Sequence, residues 1–125
     1  MIYLTEEQKS QIIDFANSEI GRKYQTGFKC AEFVRMVYSR AGIECVFDEH
    51  PVLTLEDIYK EEFVGYLCFL KNKKYQPQSL YRYTHVGIIA PDHGLIHYSR
   101  YFGEPNVREV FRTPMEEIFK VYNFI

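Results

Sequence analysis

The chain has 125 residues, the length of one domain, with 46% hydrophobic and 26% charged residues; this is globular rather than disordered or membrane composition. A net charge of −2 and a pI near 6.1 argue against a nucleic-acid binder, which carries a basic face. Three cysteines, Cys30, Cys45 and Cys68, without a CxxC pair exclude a disulfide framework and a cysteine-based zinc site, so each is read as a free thiol.

Residues 1–8 carry neither a basic nor an apolar leader pattern, and no run reaches the length of a membrane span. The expectation is a cytoplasmic protein unless phage delivery or a dedicated secretion route releases it. Thr5 and Gln8 form a capping box, Thr-x-x-Gln, at the start of a helix. Ile12, Ile13, Ala16 and Ile20 then recur at helical spacing, and Gly21 supplies a stop. A second helix opens at Cys30, with Ala31, Val34, Tyr38 and Ala41 on one stripe and Gly42 as its stop. Thr54 and Asp57 mark the cap of a short helix that includes Ile58 and Tyr59.

The period then changes from helix to strand. Residues 64–70 are a short apolar run that reads as a buried strand, and 71–83 read as a surface excursion. Residues 84–90 and 95–100 flank Pro91-Asp92-His93-Gly94 as a β-hairpin. A strand over 107–112 follows. Thr113-Pro114-Met115-Glu116 predicts a helix with Thr113 as N-cap and Pro114 at its first position. Residues 121–125 close the chain as a strand. Helices first and strands after them predict one α+β domain over residues 1–125, its N-terminal helices packed on an antiparallel sheet.

Cys30 is the candidate nucleophile, because unpaired N–H groups at a helix start stabilise a thiolate. Cys68 lies inside an apolar run and reads as core. A thiol nucleophile also needs a base, and imidazole suits that role near neutral pH. His50 and His93 fall in loops, where an imidazole is usually solvated. His85 and His97 fall in the two hairpin strands, twelve positions apart. An even-numbered loop puts them on opposite faces, because strand side chains alternate. An odd-numbered loop centred on Asp92 sets His97 opposite Gly87, with His85 its diagonal neighbour on the same face. Gly94 would then supply the left-handed residue of the loop. Two histidines are too few ligands for a metal, and no Asp or Glu stands at ligand spacing, so neither metal nor cofactor is expected.

Gly21-Arg22-Lys23-Tyr24, the stretch from Phe28 through Cys30 to Tyr38, and Ala41-Gly42-Ile43 together resemble the NlpC/p-sixty cysteine peptidases. That family has a Gly-x-x-Tyr segment, an Asp-Cys-Ser-Gly-Phe-Val helix start and an Ala-Gly-Ile helix end. Val64-Gly65-Tyr66-Leu67-Cys68-Phe69, Thr84-His85-Val86-Gly87-Ile88-Ile89 and Leu95-Ile96-His97-Tyr98-Ser99 resemble its strands, in the same order. The resemblance implies a papain-like fold and a Cys–His–His triad. In it Cys30 is the nucleophile, His85 the base and acid, and His97 the residue that orients His85. Tyr24 falls on a family tyrosine whose hydroxyl lies near the nucleophile.

The implied activity is hydrolysis of an amide bond in peptidoglycan stem peptides through a thioester, with a muropeptide as substrate. A monomer is expected, with room for an inhibitory protein partner. A related acyltransferase and a catalytically dead peptide- or protein-binding domain are the alternatives. Lys29, Ala31, Glu32 and Tyr66 depart from the family pattern and bear on substrate and activity.

Overall fold

A computed structural model describes residues 1–74, 82–100, 102–103 and 107–125. Helix α1 (Glu6–Ser18) begins at its capping box: the Gln8 N–H donates to the Thr5 hydroxyl at 3.1 Å, and the Thr5 N–H donates to the Gln8 side chain at 2.9 Å. Ile12, Ile13 and Ala16 are buried, whereas Ile20, expected on the same stripe, lies beyond the helix end and is exposed. Helix α2 (Cys30–Arg40) opens on Cys30, as expected, and buries Phe33, Val34, Val37 and Tyr38. It packs on α1 and on strands β2 (His85–Ala90) and β3 (Gly94–Ser99), so one helix is sandwiched between another helix and the sheet.

The sheet also holds β1 (Leu67–Asn72), β4 (Glu109–Pro114) and β5 (Tyr122–Phe124) in the order β4-β3-β2-β1-β5, with every pairing antiparallel. Helix α3 (Met115–Val121) joins β4 to β5 and packs on both. The architecture is α+β. All twelve residues of β2 and β3 are buried, as suits central strands covered on both sides. Among the described residues no helix is long and apolar enough to cross a membrane.

Several boundaries differ from the sequence expectation. Residues 61–63 form a 3-10 turn, and Gly65, at φ +95°, swings the chain into β1, which therefore starts at Leu67 rather than at 64. The expected excursion 71–83 begins as strand at Lys71 and Asn72, and its stretch 75–81 lies outside the described residues. Strand β4 runs through Thr113, which pairs with Leu95 and so is no helix cap; Pro114 takes the cap position of α3 instead of its first turn. The ladder with β3 extends to Pro114, opposite Gly94, so the helix begins one residue later, at Met115.

Strands β2 and β3 pair Ile88 with Ile96, Ile89 with Leu95 and Ala90 with Gly94. The loop is therefore 91–93, odd-numbered and centred on Asp92. Its left-handed residues are Asp92 and His93, both at φ 59°, and not Gly94 as expected. Aspartate and histidine tolerate that region better than most side chains. Residues paired across antiparallel strands share a face. The pairs Leu70–His85, Cys68–Gly87, His97–Phe111, Leu95–Thr113 and Asn72–Tyr122 thus put His85, His97, Thr113 and Tyr122 on one side of the sheet.

Gly87 makes this crowding feasible, since a Cβ there would lie 2.7 Å from Leu95 Cγ and 3.0 Å from His97 Cβ. Gly87→Ala is expected to lower stability by about 1–3 kcal/mol through overpacking. Urea unfolding checks it, and a midpoint equal to that of the unaltered chain would show the close approach to be unnecessary.

Candidate active site

The segment between α1 and α2 delivers Cys30 to the sheet. The Gly21 N–H donates to the Val110 carbonyl at 2.8 Å, and the Val110 N–H donates to the Arg22 carbonyl at 3.0 Å, which tie the segment to β4. Phe28 then stacks on Tyr24 with centroids 4.1 Å apart, and both rings meet Tyr98 of β3 edge-on. Aromatic packing of this kind fixes the approach of the next residues, Lys29 and Cys30. The Lys29 N–H donates to the Glu32 carboxylate at 3.0 Å, half of a capping box that starts α2. Cys30 is the first helical residue and half-buried.

His85 and His97 meet as the odd-numbered loop requires: His85 Nε2 and His97 Nδ1 share a hydrogen bond of 2.8 Å. His97 Nε2 is joined to the Thr113 hydroxyl at 2.9 Å. Both nitrogens of His97, a fully buried residue, are thereby satisfied. The His85 ring lies flat on Tyr122, 4.5 Å between centroids and 8° from parallel. Thr113 and Tyr122 were not legible as site residues. The Thr-Pro-Met-Glu string around Thr113 carries a cap signal that points elsewhere, and nothing local marks Tyr122.

Cys30 and His85 line one cavity of about 250 Å³, together with Asn72, Thr84, Tyr98 and Tyr122. No hydrogen bond joins the Cys30 sulfur to the His85 imidazole. The ionised sulfur expected from the helix start is disfavoured by its surroundings. Burial pushes the Cys30 thiol above its ordinary value and Glu32 adds to this, outweighing hydrogen bonds from the backbone of Val86 and Ala31 that favour the anion. Burial likewise pulls His85 down to about 3 and His97 well below its usual value, the latter also through His85. Burial thus disfavours charge on the thiol and on the imidazole alike.

Tyr24 is not among the residues that line this cavity. Its hydroxyl donates to Glu19 at 2.6 Å, and Glu19 is also paired with Arg22 at 3.2 Å. Burial first, then Glu19, raises the Tyr24 hydroxyl to about 12. Tyr66 accepts the Leu4 N–H at 2.7 Å and serves the core.

Cys68 is buried, as expected, with its thiol pushed up to about 12. His50, expected in solvent, is buried and pulled down to about 4, with Nε2 3.8 Å from Cys45. This thiol–imidazole contact lacks an orienting partner for the ring, because His50 Nδ1 has none. A further cavity of about 260 Å³, lined by Phe47, His50, Leu53, Phe69, Tyr83 and Phe124 among others, is mostly apolar and pairs no thiol with an oriented base.

Three histidines buried without charge make stability depend on pH. Their folded values lie below the unfolded value of about 6.5, so the unfolded chain alone takes up protons below that pH. The stabilisation is complete above about pH 6.5 and is lost as pH falls toward 4 for His50 and 3 for His85. Each histidine contributes a slope of up to about 1.4 kcal/mol per pH unit in that window. Urea unfolding at pH 7 and pH 5 should show a marked loss, and a flat profile would contradict burial of neutral rings.

No protein-family model matches the chain, and no curated protein matches it by sequence. Among solved structures it matches a Staphylococcus aureus subsp. aureus Mu50 protein described as similar to a lipoprotein of the NLP/P60 family. The TM-score is 0.58 and the identity 23%, over 87% of this chain and 38% of that one. The chain thus spans little more than a third of that protein's length. With its helix opening on a cysteine and its five-stranded antiparallel sheet, the chain has an NLP/P60-like fold.

Proposed function

We propose that the chain is a cysteine peptidase or amidase that hydrolyses an amide bond in peptidoglycan stem peptides. The observation that carries this reading is the hydrogen-bonded line from Thr113 through His97 to His85, which ends at the cavity holding Cys30. When His97 Nε2–H donates to Thr113, His97 Nδ1 accepts from His85 Nε2–H, and His85 Nδ1 keeps its lone pair. That nitrogen takes the Cys30 proton as sulfur attacks the substrate carbonyl. The oxyanion is held by the Cys30 backbone N–H at the start of α2. His85 then returns the proton to the leaving amine, and it activates the water that cleaves the thioester. His97 and Thr113 act by holding the tautomer, as the third group of a triad does.

A muropeptide digest followed by mass spectrometry tests the reading. Cys30→Ala should abolish product, and equal cleavage by both proteins would discard it. Thr113→Val should lower kcat about five- to tenfold with KM unchanged, the worth of one buried hydrogen bond, and Thr113→Ser should restore it. Because His85 is held down near 3, kcat/KM should stay level from pH 8 to below pH 5 wherever the chain remains folded. An acid limb near 6.5 would contradict an uncharged, buried base.

A second reading, a binding domain without catalysis, is favoured by the raised thiol and by the missing sulfur–imidazole hydrogen bond. Retained binding of a muropeptide with no turnover would select it.

A further inference from the structure

The cavity beside His50 is built apart from that of Cys30, and among the described residues no side chain lines both. A 3-10 turn over Phe47–Glu49 brings Phe47 and His50, three positions apart, to one side of the chain, and the His50 N–H donates to the Phe47 carbonyl at 3.2 Å. Arg35 lies over the Phe47 ring, 4.5 Å from its centroid, and holds it in place. Phe69 and Tyr83 pack edge-on to Phe47, their centroids 5.5 and 6.0 Å away, and Leu53 and Phe124 extend the apolar wall. His50 belongs to the same wall. It is 6% exposed, and its Nδ1 has no partner among the described residues. Its other ring nitrogen reaches Cys45 at 3.8 Å. Asp48 and Arg82 also line the cavity, both exposed and opposite in sign, so the lining selects no net charge.

A buried ring nitrogen left unpaired is costly, and the open space beside His50 is where a partner can enter. Whether Nδ1 donates or accepts depends on which nitrogen carries the proton; a hydroxyl answers either case. Rings at the wall favour a ring in the cavity, edge to face with its neighbours. The volume of about 260 Å³ falls just under the roughly 300 Å³ at which ordinary ligand sites begin, which leaves room for one ring or two. We infer that this cavity binds a neutral hydroxylated aromatic ring, packed among Phe47, Phe69 and Phe124 with its hydroxyl on His50 Nδ1. Cys30 takes no part, so the site stands whether or not the chain is a hydrolase.

The probes are para-cresol and para-xylene, alike in shape and differing by the hydroxyl. Titrated at neutral pH and followed by NMR, para-cresol should move the signals of Phe47, Phe124 and His50, and para-xylene should leave the Nδ1 resonance of His50 in place. The ratio of the two affinities should fall about five- to tenfold, in favour of para-xylene, in His50→Phe, which keeps a ring and removes Nδ1. Phe124→Trp, on the last strand, fills the cavity and should weaken both probes at least about tenfold. An unchanged ratio in His50→Phe overturns the inference, and so does para-cresol that fails to bind up to its solubility. Should His50→Phe not fold, the Nδ1 resonance of the unaltered chain decides: the same shift with both probes is equally fatal.

A tyrosine side chain carries the same chemistry as a free phenol, and N-acetyltyrosinamide separates the two. Its binding with the same shift at His50 makes the occupant a side chain of a peptide. Its exclusion while para-cresol binds makes the occupant a free small molecule. Shifts at Tyr98 and Tyr122 in place of His50 would put the phenol in the cavity of Cys30 and defeat the inference.

Discussion

The parity of the β2–β3 loop governs the site. With three residues between Ala90 and Gly94, His97 falls beside Gly87 and 2.8 Å from His85. One residue more or fewer would turn one imidazole to the far side of the sheet, since side chains alternate along a strand. The same registration carries outward through β4, where Thr113 closes the line behind His97, and through β1 to β5, where Tyr122 supports the ring of His85. Burial then holds the rings in place. A buried imidazole nitrogen without a partner costs about 1–3 kcal/mol, so each ring is restrained by the cost of turning away from the next.

Electrostatics set the chemical character of this arrangement. A helix start favours a thiolate, but the sulfur of Cys30 is deep enough that loss of solvent outweighs that field. The same desolvation keeps His85 neutral. A neutral pair suits a mechanism in which proton transfer accompanies attack, with charge separated only once a substrate carbonyl is present to receive it. Cys45 and His50 show that proximity does not suffice. Their sulfur and nitrogen lie 3.8 Å apart, yet the other nitrogen of His50 has nothing to fix it.

Much of this was legible in the sequence because it is written in local rules. The Thr5 capping box, the helix opening at Cys30 and the two parities open to the hairpin all follow from side-chain chemistry within a few residues. The choice between parities did not, because it depends on a loop conformation in which Asp92 and His93 turn left-handed in place of Gly94. Thr113 was misplaced because Thr-Pro-Met-Glu satisfies the rules for a cap, and only pairing with Leu95 overrides them. His50 and the thiol of Cys30 depend on depth, which no short window encodes. The resemblance puts the Tyr24 hydroxyl near Cys30, whereas it turns to Glu19, five positions back, a choice made by the packing of its segment.

Glu32 serves two opposed ends. Its carboxylate accepts the Lys29 N–H and so helps to begin α2, yet its charge also disfavours ionisation of the sulfur two residues before it. An amide at that position would keep an oxygen for the cap while removing the repulsion. Folding and ionisation are therefore separable at a single side chain, and the native residue leaves the sulfur harder to ionise while securing the turn that presents it.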